Sequence, residues 1–248
     1  MKTKFFFFFF FIAMTIGVSY SFAQTYPKFD EDAYIENLKF SGQRPTIVDF
    51  VNNFLNEPEE ELLGSLSQMW DNYKAGKAQL KGDKVTADTR NGFVKFERQS
   101  EDEDSKYLSV TEMCYWNCSD GLHKIVAMTN NLYVDGKFVD GQFTGTSFML
   151  YENSTRRWMT ISGEDIGAYF YPEIDYTSGF DGKDWYVERN GHKTIMTEEE
   201  YVRWTEDNVP VVIVHLPQKG KNIIVEYWTP KRSVTKVWAW DGLRFHKQ

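Results

Sequence analysis

Cysteine is nearly missing from this chain of 248 residues: there are two, Cys114 and Cys118. Two thiols cannot build a disulfide-dense scaffold, so the fold must rest on a buried core. Cations are scarce too, with 28 Lys and Arg against 36 Asp and Glu, a net charge of −8 at pH 7. An acidic chain repels phosphate backbones, which argues against a nucleic-acid partner. The motifs that announce common chemistries are missing: no GxSxG, HExxH, GxxxxGK[ST] or GxGxxG occurs. That removes enzymes readable from a motif, but not catalytic groups assembled from distant residues. No catalytic residue, cofactor or metal set is indicated.

What the chain has in excess at its start is phenylalanine. It opens MKTKFFFFFFFIAMTIGVSYSFAQ, with Lys2 and Lys4 ahead of an apolar run over 5–18. Ser21 and Ala23 stand at the minus-three and minus-one positions of a cleavage site. The run is shorter than the ~20 residues a spanning helix needs. Residues 1–23 therefore read as a removed signal peptide. The mature protein is expected to be secreted or periplasmic, with no membrane span. Gln24 would come first, so lipid attachment at an N-terminal Cys is not indicated.

The mature chain begins with helical patterns. Asp30 is placed to cap a helix over 31–40. Ile47, Val48, Phe50, Val51, Phe54 and Leu55 form one apolar helical face. Pro58 opens a further helix, striped by Leu62, Leu66, Met69, Trp70 and Tyr73 and stopped by Gly76. After residue 80 the pattern changes. Asp-Gly recurs at 120, 135, 140, 181 and 241, and Asn-Gly at 91 and 190. These pairs tolerate the positive φ of tight hairpin turns. The runs between them, 93–98, 107–117, 122–129, 144–151, 158–162, 209–216, 221–229 and 233–240, read as antiparallel strands. Thr197 to Trp204 reads as a short helix with a capping box. The expected fold is α+β, with N-terminal helices packed on antiparallel sheet over residues 24–170. A second β-rich lobe over 171–248 follows. Tyr115 to Met128 aligns with Tyr227 to Trp240 at a shift of 112, so that lobe is weighed as a diverged repeat.

One stretch, MCYWNCSDGLH at 113–123, holds both cysteines and one of four histidines. Read as a hairpin with Asp120-Gly121 at its tip, it sets Cys114 opposite Ala127 and Cys118 opposite His123. Cys114 and Cys118 are the candidate thiol or disulfide pair. Four strand residues span roughly 13 Å, whereas a disulfide needs Cα atoms within about 7 Å. An oxidising compartment weighs the other way. A metal site would have at most three local ligands and the wrong spacing for zinc. A Cys118–His123 dyad would need an orienting acid, and the sequence does not identify one.

The remaining signal is aromatic. Trp158, Trp185 and Trp204 are the candidate ligand-stacking residues, although aromatics in sheets more often fill cores. The terminal VWAWDGLRF at 237–245 resembles the closing strand-turn-strand of secreted Bacteroidetes domains of unknown function. The leader is similar to those of exported proteins from the same bacteria. The resemblance implies export and no particular activity. The expected function is a non-enzymatic binding or envelope-associated protein for a glycan, a peptide or another protein. The alternative is a hydrolase of extracellular polymers that uses two carboxylates.

Overall fold

The computed structural model describes residues 35–56, 61–139 and 145–248. The expected leader, Asp30, Pro58 and the Asp-Gly pair at 140–141 lie outside these. Over the described residues the chain is 48 % strand and 16 % helix, arranged in three antiparallel sheets. That overturns the expected α+β class: the protein is mostly β. The helix expected over 31–40 accounts for part of the difference. From Ile35 that segment is strand β1 (Ile35–Asn37), which pairs with β8 (Arg157–Ile161) at a sheet edge. Its local pattern was weak, and pairing with a neighbour overrode it.

The large sheet also contains β2 (Asp83–Asp88), β3 (Phe93–Glu101), β4 (Lys106–Asn117), β5 (His123–Val134), β6 (Lys137–Val139) and β7 (Gly145–Glu152). Its order is β1-β8-β7-β5-β4-β3-β2, and β6 also pairs with β5. Central strands β4 and β5 are apolar on both faces, which requires cover on both sides. One face carries helices α1 (Ile47–Phe54) and α2 (Glu61–Lys74). Asp49 accepts the Thr46 N–H at the start of α1, as a capping acid does. Phe50, Val51, Met69 and Trp70 bury against Val94, Phe96, Met113, Val126 and Tyr151. Each such side chain contributes about 1.5–3 kcal/mol.

The opposite face carries an upper sheet: β12 (Val211–His215), β13 (Ile223–Thr229), β14 (Arg232–Trp240) and β15 (Phe245–Lys247). Cys114, Trp116, Ile125, Ala127 and Leu150 pack there against Val214, Ile223, Val225, Trp238 and Phe245. This core joins residues from both sides of position 170. Between the two parts of the chain lies a small sheet of β9 (Tyr176–Phe180), β10 (Trp185–Arg189) and β11 (His192–Met196). It leads into α3 (Glu198–Asn208), whose capping box is formed by Thr197 and Glu200 as the sequence indicated. The small sheet went unread because exposed, polar strands carry little apolar alternation.

The repeat is not supported by register. Tyr115 faces Val126, so a shift of 112 requires Tyr227 to face Trp238; instead Tyr227 faces Val234. The two hairpins turn at different places, and their likeness is one of aromatic strands only.

Two buried polar side chains tie the sheets together. Glu112 accepts the Leu216 N–H at 2.9 Å, and Asn131 donates to the Val214 carbonyl at 2.9 Å. Burial pushes the Glu112 carboxyl above its ordinary value, despite the Leu216 bond and nearby His215 and Lys95. The native state therefore loses stability as pH rises through that raised value. Glu112→Gln keeps the acceptor and drops the charge. It should melt higher than the native chain near neutral pH, and the two curves should converge below about pH 4. Equal melting temperatures at both ends would refute the cost assigned to this charge. Glu112→Ala should lose about 1–3 kcal/mol by orphaning the Leu216 N–H.

Candidate binding cavity

The cysteine hairpin has the register its turn demands. Cys114 stands opposite Ala127, Trp116 opposite Ile125 and Asn117 opposite Lys124. The Cys118 N–H donates to the His123 carbonyl at 3.0 Å. No disulfide joins the two cysteines, and both are buried, facing the upper sheet. Burial drives the Cys114 thiol well above its ordinary value, which keeps it protonated and inert.

The acid missing from the sequence reading is Asp120. Its Oδ2 lies 2.6 Å from His123 Nδ1, while Oδ1 accepts the Leu122 and His123 N–H groups. Burial pushes the Asp120 carboxyl up, but these bonds outweigh it and hold the group below its ordinary value. Asp241 repeats the arrangement, with Oδ1 on the Leu243 and Arg244 N–H groups and Oδ2 2.6 Å from His246 Nε2. The Ser119 N–H donates to the Gly242 carbonyl at 2.7 Å, so the two turns lie side by side. Both histidines are accounted for as turn braces. Cys118 is 4 % exposed beneath the upper sheet, too deep for a nucleophile that must meet substrate. Among the described residues no group of three or more His, Cys, Asp or Glu is placed to hold a metal ion.

The three candidate tryptophans are engaged in packing. Trp158 is 5 % exposed and its ring lies 6.1 Å from Phe50, so it is core and not a stacking surface. Trp185 stacks on Tyr201 of α3 at 4.6 Å, and Trp204 meets Tyr176 edge-on at 4.8 Å. Those two contacts fasten α3 to the small sheet.

The exposed aromatics lie elsewhere, in the link that leaves β8. A 3-10 turn (Glu164–Ile166) ends at Gly167, which has φ +72°. A Cβ at Gly167 would stand 2.3 Å from the Phe245 carbonyl oxygen, so glycine is needed for this close approach to β15. The next residues alternate. Ala168 is buried, Tyr169 is 51 % exposed, Phe170 is half-buried, and Tyr171 is 70 % exposed. Phe170 meets Trp238 edge-on at 5.2 Å and anchors the link between the sheets.

Beside this anchor is a cavity of about 370 Å³, within the range of small-ligand sites. Phe148, Ala168, Phe170, Val212 and Val214 give it an apolar wall, and Thr146 and Ser162 add hydroxyls. Tyr169 and Tyr171 stand at its mouth. Among the described residues that line it, Glu164 is the sole charged one. The sequence carried a signal here: three successive aromatics, Tyr169-Phe170-Tyr171, between Gly167 and Pro172.

Other places offer less. A groove of about 950 Å³ at the open end of β2–β4 mixes Lys81, Arg98 and Lys106 with Asp83 and Glu101, so its charge favours no ligand. Glu97 and Glu112 share one face of β3 and β4 as diagonal neighbours. Lys84 and Lys95 pair with Glu97, while Glu112 is closed under β12 and bound to Leu216. They are a structural pair, not carboxylates facing a cleft.

No protein-family model matches this chain, no curated protein matches its sequence, and no solved structure matches its fold.

Two outcomes follow from the hairpin. In guanidinium chloride without reductant, both cysteines should titrate as thiols, and neither should react readily in the native chain. Failure to find them after unfolding would mean a bridge. Lys124 donates to Asn117 and lies 4.2 Å from the Tyr115 ring centroid; burial lowers its amine to about 8. The unfolded chain then binds more protons between about pH 8 and 10.5, so stability rises with pH across that window. Melting curves of Lys124→Met should lack this rise; an identical rise would place its origin elsewhere.

Proposed function

We propose that the chain is an exported, non-enzymatic binding protein that holds a ligand group in the cavity beside Phe170. The observation that carries this reading is the pair of exposed tyrosines, Tyr169 and Tyr171, beside a cavity with one apolar wall. Large exposed aromatics beside a concavity are expensive to leave in water, and they mark contact surfaces. The leader-like pattern of residues 1–23 supports export. A hydrolase of the glycosidase kind needs two carboxylates flanking the scissile bond. Glu164 stands without such a partner among the described lining residues, which favours binding over hydrolysis.

The ligand group belongs to a glycan, a peptide or another envelope protein. Glycan and peptide arrays probed with the mature chain, and with Tyr169→Ala/Tyr171→Ala, test this reading. Each ring contact is worth about 0.5–1.5 kcal/mol, so the double variant should bind roughly tenfold more weakly. Signals that persist unchanged in the variant, or turnover of a bound polymer, would overturn it.

A further inference from the structure

We propose that this cavity selects an organic ammonium group, as carried by choline-like head groups or by a lysine side chain. The inference rests on the binding reading above and names the ligand chemistry of the same site.

Four aromatic residues are part of the lining: exposed Tyr169 and Tyr171, half-buried Phe170 and, behind them, buried Phe148. Aromatic faces carry the negative end of the ring quadrupole, and a cation held over several of them is attracted to each. The sole charged side chain among the described lining residues is the carboxylate of Glu164. Lys, Arg and His are all missing from that lining, so no guanidinium or ammonium is present to meet an anion. The rest of the lining mixes aliphatic Ala168, Pro210, Val212 and Val214 with the hydroxyls of Thr146 and Ser162. Two hydroxyls and one carboxylate replace only part of the water shell of a strongly hydrated inorganic cation. A weakly hydrated, carbon-clad ammonium exchanges water for ring faces at far smaller loss. Size agrees: an apolar cavity of ~150 Å³ accepts benzene, and about 370 Å³ leaves room for a branched head group. The net charge of −8 favours the approach of a cation over that of an anion.

Neutral rings are the rival occupants, since exposed tyrosines also take sugars on their faces. Glu164 separates the two, because a neutral ligand gains nothing from its charge. It is exposed, so Glu164→Gln leaves the fold in place, which an unchanged melting temperature would verify.

The test is calorimetric titration of the mature chain with three probes: choline, its neutral isostere 3,3-dimethyl-1-butanol, and Nα-acetyl-lysine methylamide. Choline, the lysine derivative or both should bind at least tenfold more tightly than the neutral isostere. Glu164→Gln should erase most of that preference and leave binding of the isostere unchanged. Tyr169→Ala/Tyr171→Ala should weaken every probe. Preference for the lysine derivative points to a protein ligand, and preference for choline to a free or lipid-borne head group; either outcome supports the shared chemistry. Equal affinity for the isostere and both cations would overturn the ammonium assignment while the binding reading stands. No binding of either cation would also overturn it, and the array result would then decide the binding reading alone.

Discussion

The two-sheet arrangement depends on the clasp that Glu112 and Asn131 form with the far end of β12. Apolar burial between the sheets is large but non-directional, and it does not fix where one sheet lies over the other. The bonds to Leu216 and Val214 do, because each has one donor, one acceptor and a narrow range of lengths. They also occupy backbone groups at an edge strand, which would otherwise invite another chain to pair. Trp116 adds a third tie by donating its ring N–H to the Lys221 carbonyl at 2.9 Å. The cavity inherits its shape from this placement, since Val212 and Val214 form its wall on the upper side.

A second device recurs at the turns. Asp102, Asp120, Asp181 and Asp241 each accept the backbone N–H groups two and three residues ahead. An aspartate can fold a hairpin in this way because its short carboxylate imitates a backbone turn. At 120, 181 and 241 glycine follows and supplies positive φ. The second carboxylate oxygen is then free for a neighbour: Tyr107, His123, Lys193 or His246. His123, which invited a catalytic reading in the sequence, braces its turn as His246 does, and the same geometry explains the cysteine hairpin. Its thiols are buried because strand alternation points them under the upper sheet.

The aromatic residues show the limits of reading one dimension. Tryptophan is the largest apolar surface available, so Trp158, Trp185 and Trp204 were natural candidates for stacking. Size is also why the fold buries or covers them. Tyr169 and Tyr171 stay in water because Ala168 and Phe170, on the other side of an extended link, are taken by the core. Exposure there follows from which alternate residues find a partner across the sheets. No local pattern encodes that partner.

By itself the sequence determined the local features. Alternation and Asp-Gly spacing located strands such as β3, β4, β7, β13 and β14, the hairpin register at 114–127, and the capping box that starts α3. These are set by forces between residues close in the chain, namely turn geometry, caps and apolar periodicity. Tertiary structure decided the rest: the mostly β class, the strand at 35–37, the small exposed sheet, the stacking of two sheets in one core, and the cavity. Those features depend on contacts such as Glu112 with Leu216 and Phe170 with Trp238. Their partners lie 104 residues apart in the first case and far apart along the chain in the second. Such contacts exist only once the chain has folded back on itself.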